Sequence, residues 1–380
     1  MSKAVLMISP FFSPNIGGVE THLDDLCSVL TQENIKTYVI TYQPLTSRAK
    51  GEAIEKRGSV TIMRLRWYGY NLFHKLEKNA FLVVAYLFPG IFFKTLFFMI
   101  KHSKEIDVIH SHGILASFVA TILKPLFKKR IIASTHAIYN FNRNSLFARV
   151  VRVVLGSFDK VLAISEQSKK ELVNLGISED KIVVYTYWVN QQTFNVLNKG
   201  DCKRKLNWQD RFVVLFVGRL LEIKGIKLLL ESSFSLIDSI SIAIIGDGPL
   251  AGEIRAKAKE NKRIIFVGKV INKELSIYYN GADVVIVPSI YEEGYGRIIL
   301  ESLSCATPVI ASKRGGITEA LTSQVGILID PSAKNIADTI NNIYRDEKLR
   351  QTLSSRAREY ALDNFSKKNA EVIIESYQLT

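Results

Sequence analysis

The chain has 380 residues, 47% of them hydrophobic, which fits two domains with full cores and excludes a disordered or low-complexity chain. Its three cysteines, Cys27, Cys202 and Cys305, are too few and too far apart for a disulfide framework or a zinc site, and suit a reducing compartment. The net charge of +14 is uneven, with 24 Lys+Arg against 14 Asp+Glu in residues 1–194 and 26 against 22 in residues 195–380; the basic half should attract phosphates or anionic lipid, and without a recognised motif or a stripe of stacking aromatics nucleic acid is not an expected partner.

In chain order, "AVLMIS" (4–9) reads as a first buried strand, broken too soon by Pro10 for a signal peptide. A helix over Val19–Thr31 follows, then the apolar run "TYVIT" (37–41). "AFLVVAYLFPGIFFKTLFFMI" (80–100) is long enough to span a bilayer, but Pro89, Gly90 and Lys94 interrupt it. Three readings are open for it: two helices packed in or on the N-terminal domain, an interfacial patch on a membrane helped by Lys75, Lys78, Lys101 and Lys104, or a true span. The runs "DVIHSH" (107–112), "RIIAST" (130–135), "DKVLAIS" (159–165) and "KIVVYT" (181–186) read as further strands, with a helix over Glu166–Asn174.

The segment 190–210 is polar and has no strand pattern. After it come "FVVLFVG" (212–218), "SIAIIG" (241–246), "RIIFVG" (263–268), "DVVIVP" (283–288), "TPVIAS" (307–312) and "GILI" (326–329), again separated by helical patterns. Continuous apolar runs alternating with helices imply parallel sheets buried on both faces. The expected fold is α/β, with two Rossmann-like parallel-sheet domains facing across a cleft, residues 1–192 and 193–365. The apolar positions Ala370, Ile373, Ile374 and Tyr377 make one face of a final helix within 366–380.

Chemistry concentrates in "SIYEEGYGRIILESLSC" (289–305). Glu293 lies in a glycine-containing turn after a strand, and Glu301 lies in the helix that follows, both near the strand's C-terminal end. Carboxylates accept hydrogen bonds from vicinal hydroxyls, and the helix N-terminus near Gly296 and Arg297 offers N–H groups to an anion. That combination suits a sugar nucleotide. In "LFVGRLLEIKGI" (215–226), Arg219 and Lys224 follow a strand, where two cations can clamp a diphosphate. Gly17 and Gly18 open the first helix and let backbone approach phosphate.

These stretches together resemble the retaining glycosyltransferases of family 4, of GT-B architecture. The pattern of a glutamate, seven residues and a second glutamate is met by Glu293 and Glu301, and the arginine–lysine pair by Arg219 and Lys224. "PNIGGVETHLDDLCSVL", "IHSHGILA", "STHAIYN", "AISEQSKKEL", "IIGDGPL", "FVGKV" and "GGITEAL" extend the match in order along nearly the whole chain. The resemblance implies that Arg219 and Lys224 bind the donor's pyrophosphate, Glu301 its ribose and Glu293 its sugar, with Gly294, Tyr295 and Gly296 beside them. It places Gly17, Gly18 and His136 near the reacting groups, and "GKV" (268–270), ending in Val270, at the nucleotide base. For His110 and His112 a site role and a structural role are both open. The resemblance further implies that the final helix crosses back to the N-terminal domain.

No Asp-x-Asp motif occurs, so no metal or other cofactor is expected. No GxGxxG follows the first strand, and "GDGPLAG" (246–252) has the wrong spacing, which disfavours a dehydrogenase. The expected function is metal-independent transfer of a hexose-type sugar from a UDP- or GDP-sugar to an acceptor hydroxyl. The acceptor would be lipid-linked or a saccharide, in glycolipid or surface polysaccharide synthesis. The expected location is cytoplasmic, on or near the anionic inner face of the membrane. A sugar-nucleotide epimerase of the same architecture and a catalytically silent binding protein are the alternatives.

Overall fold

The computed structural model describes residues 4–15, 17–45, 49–69, 72–76 and 79–378. They divide into two compact units, one of residues 1–186 with 368–380 and the other of Tyr187–Lys367, where the sequence suggested 1–192, 193–365 and 366–380. In the first unit the strands are β1 (Ala4–Ile8), β2 (Lys36–Tyr42), β3 (Ile54–Arg57), β4 (Val60–Leu65), β5 (Val108–His112), β6 (Arg130–Ser134), β7 (Lys160–Ala163) and β8 (Ile182–Val184). They form one sheet in the order β3-β4-β2-β1-β5-β6-β7-β8, parallel except for the β3–β4 pair. The second unit holds β9 (Phe212–Val217), β10 (Ile240–Ile245), β11 (Ile264–Gly268), β12 (Val284–Val287), β13 (Val309–Ser312) and β14 (Gly326–Ile329). Its sheet is wholly parallel, in the order β11-β10-β9-β12-β13-β14. Both are α/β parallel-sheet domains with a core of their own.

Each apolar run read as a strand is one: most sit inside their sheet, where Val, Ile and Leu are buried on both faces, while β8, β11 and β14 lie at sheet edges and are partly exposed. β3 and β4 were not foreseen. β3 is "IEKR", charged and largely exposed at the sheet's edge, where charge guards unpaired backbone against stray strands. Within the sheet below it, the buried guanidinium of Arg64 donates to the Ser13 carbonyl from Nε (3.0 Å) and Nη2 (2.7 Å) and pairs with Glu55 at 2.7 Å. The loop leading to Gly17 is therefore tied to the edge hairpin.

The apolar segment is one helix, Ala80–His102, and not the pair of helices that the first of the three readings required. Pro89 cannot donate to the carbonyl four residues back and opens the turn, yet the helix continues. The opened turn is filled from the sheet side. Ile91 N donates to the Tyr42 hydroxyl at 2.8 Å, that hydroxyl donates to the Leu87 carbonyl, and Trp67 Nε1 donates to the Tyr86 carbonyl at 3.0 Å. A Cβ on Gly90 would lie 2.6 Å from both Tyr42 Oη and Trp67 Cζ3, so the close seating needs glycine. Of the lysines named with this segment, Lys78 lies outside the described residues.

At the chain's end, residues Lys367–Ala370 form a tighter single turn and the helix proper is Glu371–Tyr377. It belongs to the first unit, where Ala370, Ile373 and Tyr377 are buried and the Tyr377 hydroxyl meets His110 Nδ1 at 2.8 Å. Ile374 is only half-buried.

Candidate functional site

In the second unit the strand order reverses at β9, which has β10 on one side and β12 on the other. Loops leaving such neighbours part from each other, and the crevice at their C-terminal ends is where open parallel sheets bind ligands. The loop after β9 carries Arg219 and Lys224, and the loop after β12 carries Glu293. Two close approaches set these loops. Gly225 has φ +73°, and a Cβ there would lie 1.8 Å from the Pro288 carbonyl oxygen. Ile290 N donates to the Ile223 carbonyl at 2.9 Å, which knits the two loops edge to edge.

Across that seam Lys224 and Glu293 form an ion pair, Nζ to Oε1, at 2.8 Å. Lys224 Nζ also donates to the Tyr291 hydroxyl at 2.8 Å, and the Ser289 hydroxyl donates to the same Glu293 oxygen. Burial works against the Lys224 charge, but the Glu293 carboxylate and Tyr291 outweigh it and hold the ammonium's pKa above its ordinary value. Burial, with the carboxylate beside it, pushes the Tyr291 phenol up, so it stays a neutral hydrogen-bonding group. Arg219 is exposed, and its charge is felt at Tyr291. The two cations thus differ: Arg219 faces water, whereas Lys224 is committed to Glu293 and keeps one N–H beyond these bonds.

Glu301 is 1% exposed in the helix Arg297–Ser304. Its Oε1 accepts from Asn272 Nδ2 (2.9 Å) and Arg297 Nε (3.0 Å), and its Oε2 accepts from the Tyr279 hydroxyl (2.8 Å). Arg297 also donates to the Trp188 carbonyl at 3.2 Å. Its side chain therefore braces Glu301 and is not turned toward an anion. Burial and the Glu301 charge raise the Tyr279 phenol well above its ordinary pKa, which keeps its proton for that bond. Asn272 lies two residues after half-buried Val270, so the loop after β11 and Glu301 are directly joined. Gly296 caps the helix with φ +81°, and Tyr295 turns its buried ring edge-on to Phe365, centroids 6.2 Å apart. Gly294 is pressed by Gly316, where a Cβ would stand 1.9 Å from the Gly294 carbonyl oxygen, and Gly316 N donates to the Glu293 carbonyl at 2.8 Å. The "GGITEAL" stretch thereby shapes the Glu293 turn.

In the first unit the order reverses at β1, between β2 and β5. Gly17 caps the helix Gly18–Gln32 after β1, and a Cβ on Gly18 would point into open space. Nearby strand ends bring histidines together. His136 Nε2 lies 3.1 Å from His112 Nδ1, and His136 Nδ1 lies 3.2 Å from the Tyr185 hydroxyl. The His22 ring stands 5.7 Å from those of His136 and Tyr185. His110 bridges Tyr377 and Ser134 Oγ, each at 2.8 Å. Burial lowers both His110 and His136 to about 3, and burial with the neighbouring imidazoles lowers His112 well below its ordinary value. All three are neutral rings at physiological pH. Among the described residues, buried His112 Nε2 has no hydrogen-bond partner.

Several of these partners escaped the sequence reading. Ser289 and Tyr291 sit four and two residues before Glu293 and could have been suspected from proximity alone. Asn272, Tyr279, His22 and Tyr185 lie on other elements, and only the fold brings them in.

A parallel sheet with cations on one loop and a carboxylate on the next, at its switch point, marks an α/β protein with its ligand crevice at the strands' C-terminal ends. Residues 16–190 match the model of Glycosyltransferase Family 4, and residues 198–360 match that of Glycosyl transferases group 1. The chain belongs to this glycosyltransferase family, and its fold is GT-B. It is similar to the D-inositol 3-phosphate glycosyltransferase of Kribbella flavida, 27% identical over 396 residues that take in 94% of this chain and 91% of that protein. Among solved structures it is similar to sucrose-phosphate synthase from Thermosynechococcus elongatus, with a TM-score of 0.82 and 23% identity over 99% of this chain and 98% of that one. It is also similar to Anabaena HepE in complex with UDP-glucose, with a TM-score of 0.80 and 19% identity over 99% of this chain and 100% of that one.

Proposed function

We propose that this glycosyltransferase moves a hexose, with retention of its anomeric configuration and without a metal, from a UDP- or GDP-sugar to an acceptor hydroxyl on a lipid-linked or saccharide acceptor. The observation that carries this reading is the Lys224–Glu293 ion pair, with exposed Arg219 on the same loop as Lys224, at the switch point of the C-terminal sheet. Charge develops on the leaving diphosphate, and preorganised cations in a partly dry site stabilise it there. Arg219 is free to meet a phosphate. Lys224, kept protonated by Glu293, would share its remaining N–H with the diphosphate while Glu293 faces the sugar. Glu301, already held by three donors, has an acceptor position left for a ribose hydroxyl. His136, held neutral by burial, would meet the sugar as a hydrogen-bonding group and not as a cation. The structural neighbour solved with UDP-glucose makes uridine the first base to test. The three cysteines are free and buried, which supports work on the cytoplasmic side.

The test is a thermal-shift screen of UDP- and GDP-hexoses, since a ligand that binds only the folded state raises the melting temperature. Turnover of the best donor with hydroxyl acceptors follows, with the product anomer assigned by NMR. An α-linked donor should give an α-linked product. An inverted product would refute retention. An epimerised sugar nucleotide formed from the donor alone would replace the reading with the epimerase. Binding without turnover of any acceptor would leave only a binding protein.

A further inference from the structure

The helix Ala80–His102 is seated on its sheet by one face and shows an unusual opposite face. Phe81, Leu82, Phe93, Phe97 and Ile100 are all exposed, between 49% and 62%. With exposed Ala85 and half-buried Pro89 and Leu96, they follow one another at helical spacing along about 30 Å of helix. A helix face turned to water is normally polar. Here the buried positions include Tyr86 and Thr95, and Lys94 alone brings charge between residues 81 and 100.

The surface extends sideways. The helix Ile114–Phe127 packs beside Ala80–His102, and the helix Leu146–Gly156 packs beside Ile114–Phe127. The Phe81 and Phe147 rings, 5.9 Å apart, tie the first of these helices to the third. Ile122 and Leu126 continue the exposed apolar face on the middle helix, and Leu146 and Val153 continue it on the outer one. The three helices contain no aspartate or glutamate. They carry Lys94, Lys101, Arg149 and Arg152, none of which forms an ion pair among the described residues, and Lys124, which pairs with Asp159 at 2.9 Å.

We infer that this three-helix face of the first unit is the surface by which the protein docks on an anionic lipid bilayer, lying in the interface without crossing it. An apolar centre with unpaired cations, on helices that carry no carboxylate of their own and, among the described residues, meet carboxylates only at Glu105 and Asp159, matches the acyl boundary and anionic headgroups of such a surface. The seating of the helix on Tyr42 and Trp67 keeps its inner face with the protein, so only the outer face enters lipid. A second copy of the chain is a poorer occupant, because a two-fold contact would set like charges against one another. The inference concerns binding alone and is read without donor or acceptor, so its failure is separate from any failure of hexosyl transfer.

The experiment is co-sedimentation of the full chain with phosphatidylcholine vesicles, with and without phosphatidylglycerol, at low and high salt. Binding should require phosphatidylglycerol and be largely released by salt. Phe93→Glu with Phe97→Glu should lower the partition coefficient at least about tenfold, because apolar burial is lost and a repelled charge gained. Lys101→Gln with Arg149→Gln should lower it about fivefold for each charge removed. Ile100→Glu with Leu126→Glu is a second apolar pair, and melting temperatures should confirm that these exposed substitutions leave the fold intact. No sedimentation with anionic vesicles at low salt overturns the inference, as does binding unchanged in the folded variants. A lipid-independent dimer that Phe93→Glu with Phe97→Glu dissolves, in a protein that leaves vesicles alone, assigns the face to a second copy and also overturns it.

Discussion

Truncating the two cations should separate their roles. If both cations only clamped the donor, Arg219→Ala and Lys224→Ala would reduce turnover and spare folding alike. The structure splits them. Lys224 and Glu293 form a pair with side-chain exposures of 19% and 11%. Removing one member of a buried pair leaves the other charge uncompensated, at a cost of about 3–5 kcal/mol. A fifth of the lysine side chain still reaches water, which places Lys224→Ala at the low end, near 3 kcal/mol. Arg219 is exposed, so Arg219→Ala should change stability by less than about 0.5 kcal/mol. Both should still lower kcat/KM by about 30- to 1,000-fold, the range for losing one preorganised charge contact. Adding Glu293→Gln to Lys224→Ala removes the stranded carboxylate and should return at least about 1 kcal/mol of stability without returning activity. Urea denaturation of wild type, Lys224→Ala, Glu293→Gln and their double variant reads the stability cycle, and steady-state kinetics with the donor reads the catalytic one. A Lys224→Ala protein that unfolds at the wild-type urea midpoint, or a cycle that adds without coupling, would refute the argument that the pair is held by desolvation.

Other outcomes follow from the same structure. Activity should survive excess EDTA in a standard transfer assay; loss restored by Mg²⁺ or Mn²⁺ would contradict the part given to Arg219 and Lys224. Tyr377→Phe should cost about 1–3 kcal/mol in thermal or chemical denaturation, because it strands buried His110 Nδ1, now bonded at 2.8 Å. His110 and His136 are held near 3 in the folded chain against an ordinary value of 6.5, so the unfolded chain binds more protons between those pH values. Stability should therefore be full above about pH 6.5 and fall with acidification by up to about 1.4 kcal/mol per pH unit for each ring, which urea titrations at stepped pH will measure. Gly225→Ala should cost several kcal/mol, since its φ of +73° and the Pro288 oxygen 1.8 Å from the new Cβ leave no relaxed position.

The parallel strands other than β4 were legible because a strand buried on both faces carries a signal that needs no partner: "FVVLFV" can be little else. β3 was not, because "IEKR" answers to the demands of an edge and not to burial, and in β4 polar Thr61 and Arg64 interrupt the apolar run. Pro89 misled for a related reason. Proline breaks a helix unless neighbours satisfy the groups it frees, and here the neighbours are Tyr42 and Trp67, 47 and 22 residues earlier. Glu293, Glu301, Arg219 and Lys224 could be named from spacing, but their states could not. That Lys224 is bound to Glu293, and that Arg297 serves Glu301, depends on which loops the sheet order places side by side.

The two carboxylates show how one sheet edge yields two kinds of group. Glu293 stands on a loop whose backbone is fixed by Gly316, and its side-chain partners are the Lys224 ammonium and the Ser289 hydroxyl of the same crevice. The Lys224 bond can be exchanged for one to a ligand within the crevice, because Lys224 keeps Tyr291 as a second partner. Glu301 stands within a helix, and its three donors come from three separate elements: the loop after β11, the Leu275–Gly281 helix and its own helix. Moving that carboxylate would disturb all three at once, so it is rigid by construction. A ribose hydroxyl tolerates a rigid acceptor, since ribose does not change on reaction. The sugar's reacting end needs a group whose bonds can rearrange as charge moves onto the diphosphate. On the proposed reading, Glu293, whose bonds can rearrange, would serve the chemistry and the fixed Glu301 would serve recognition, and the helix that carries Glu301 is what makes the difference.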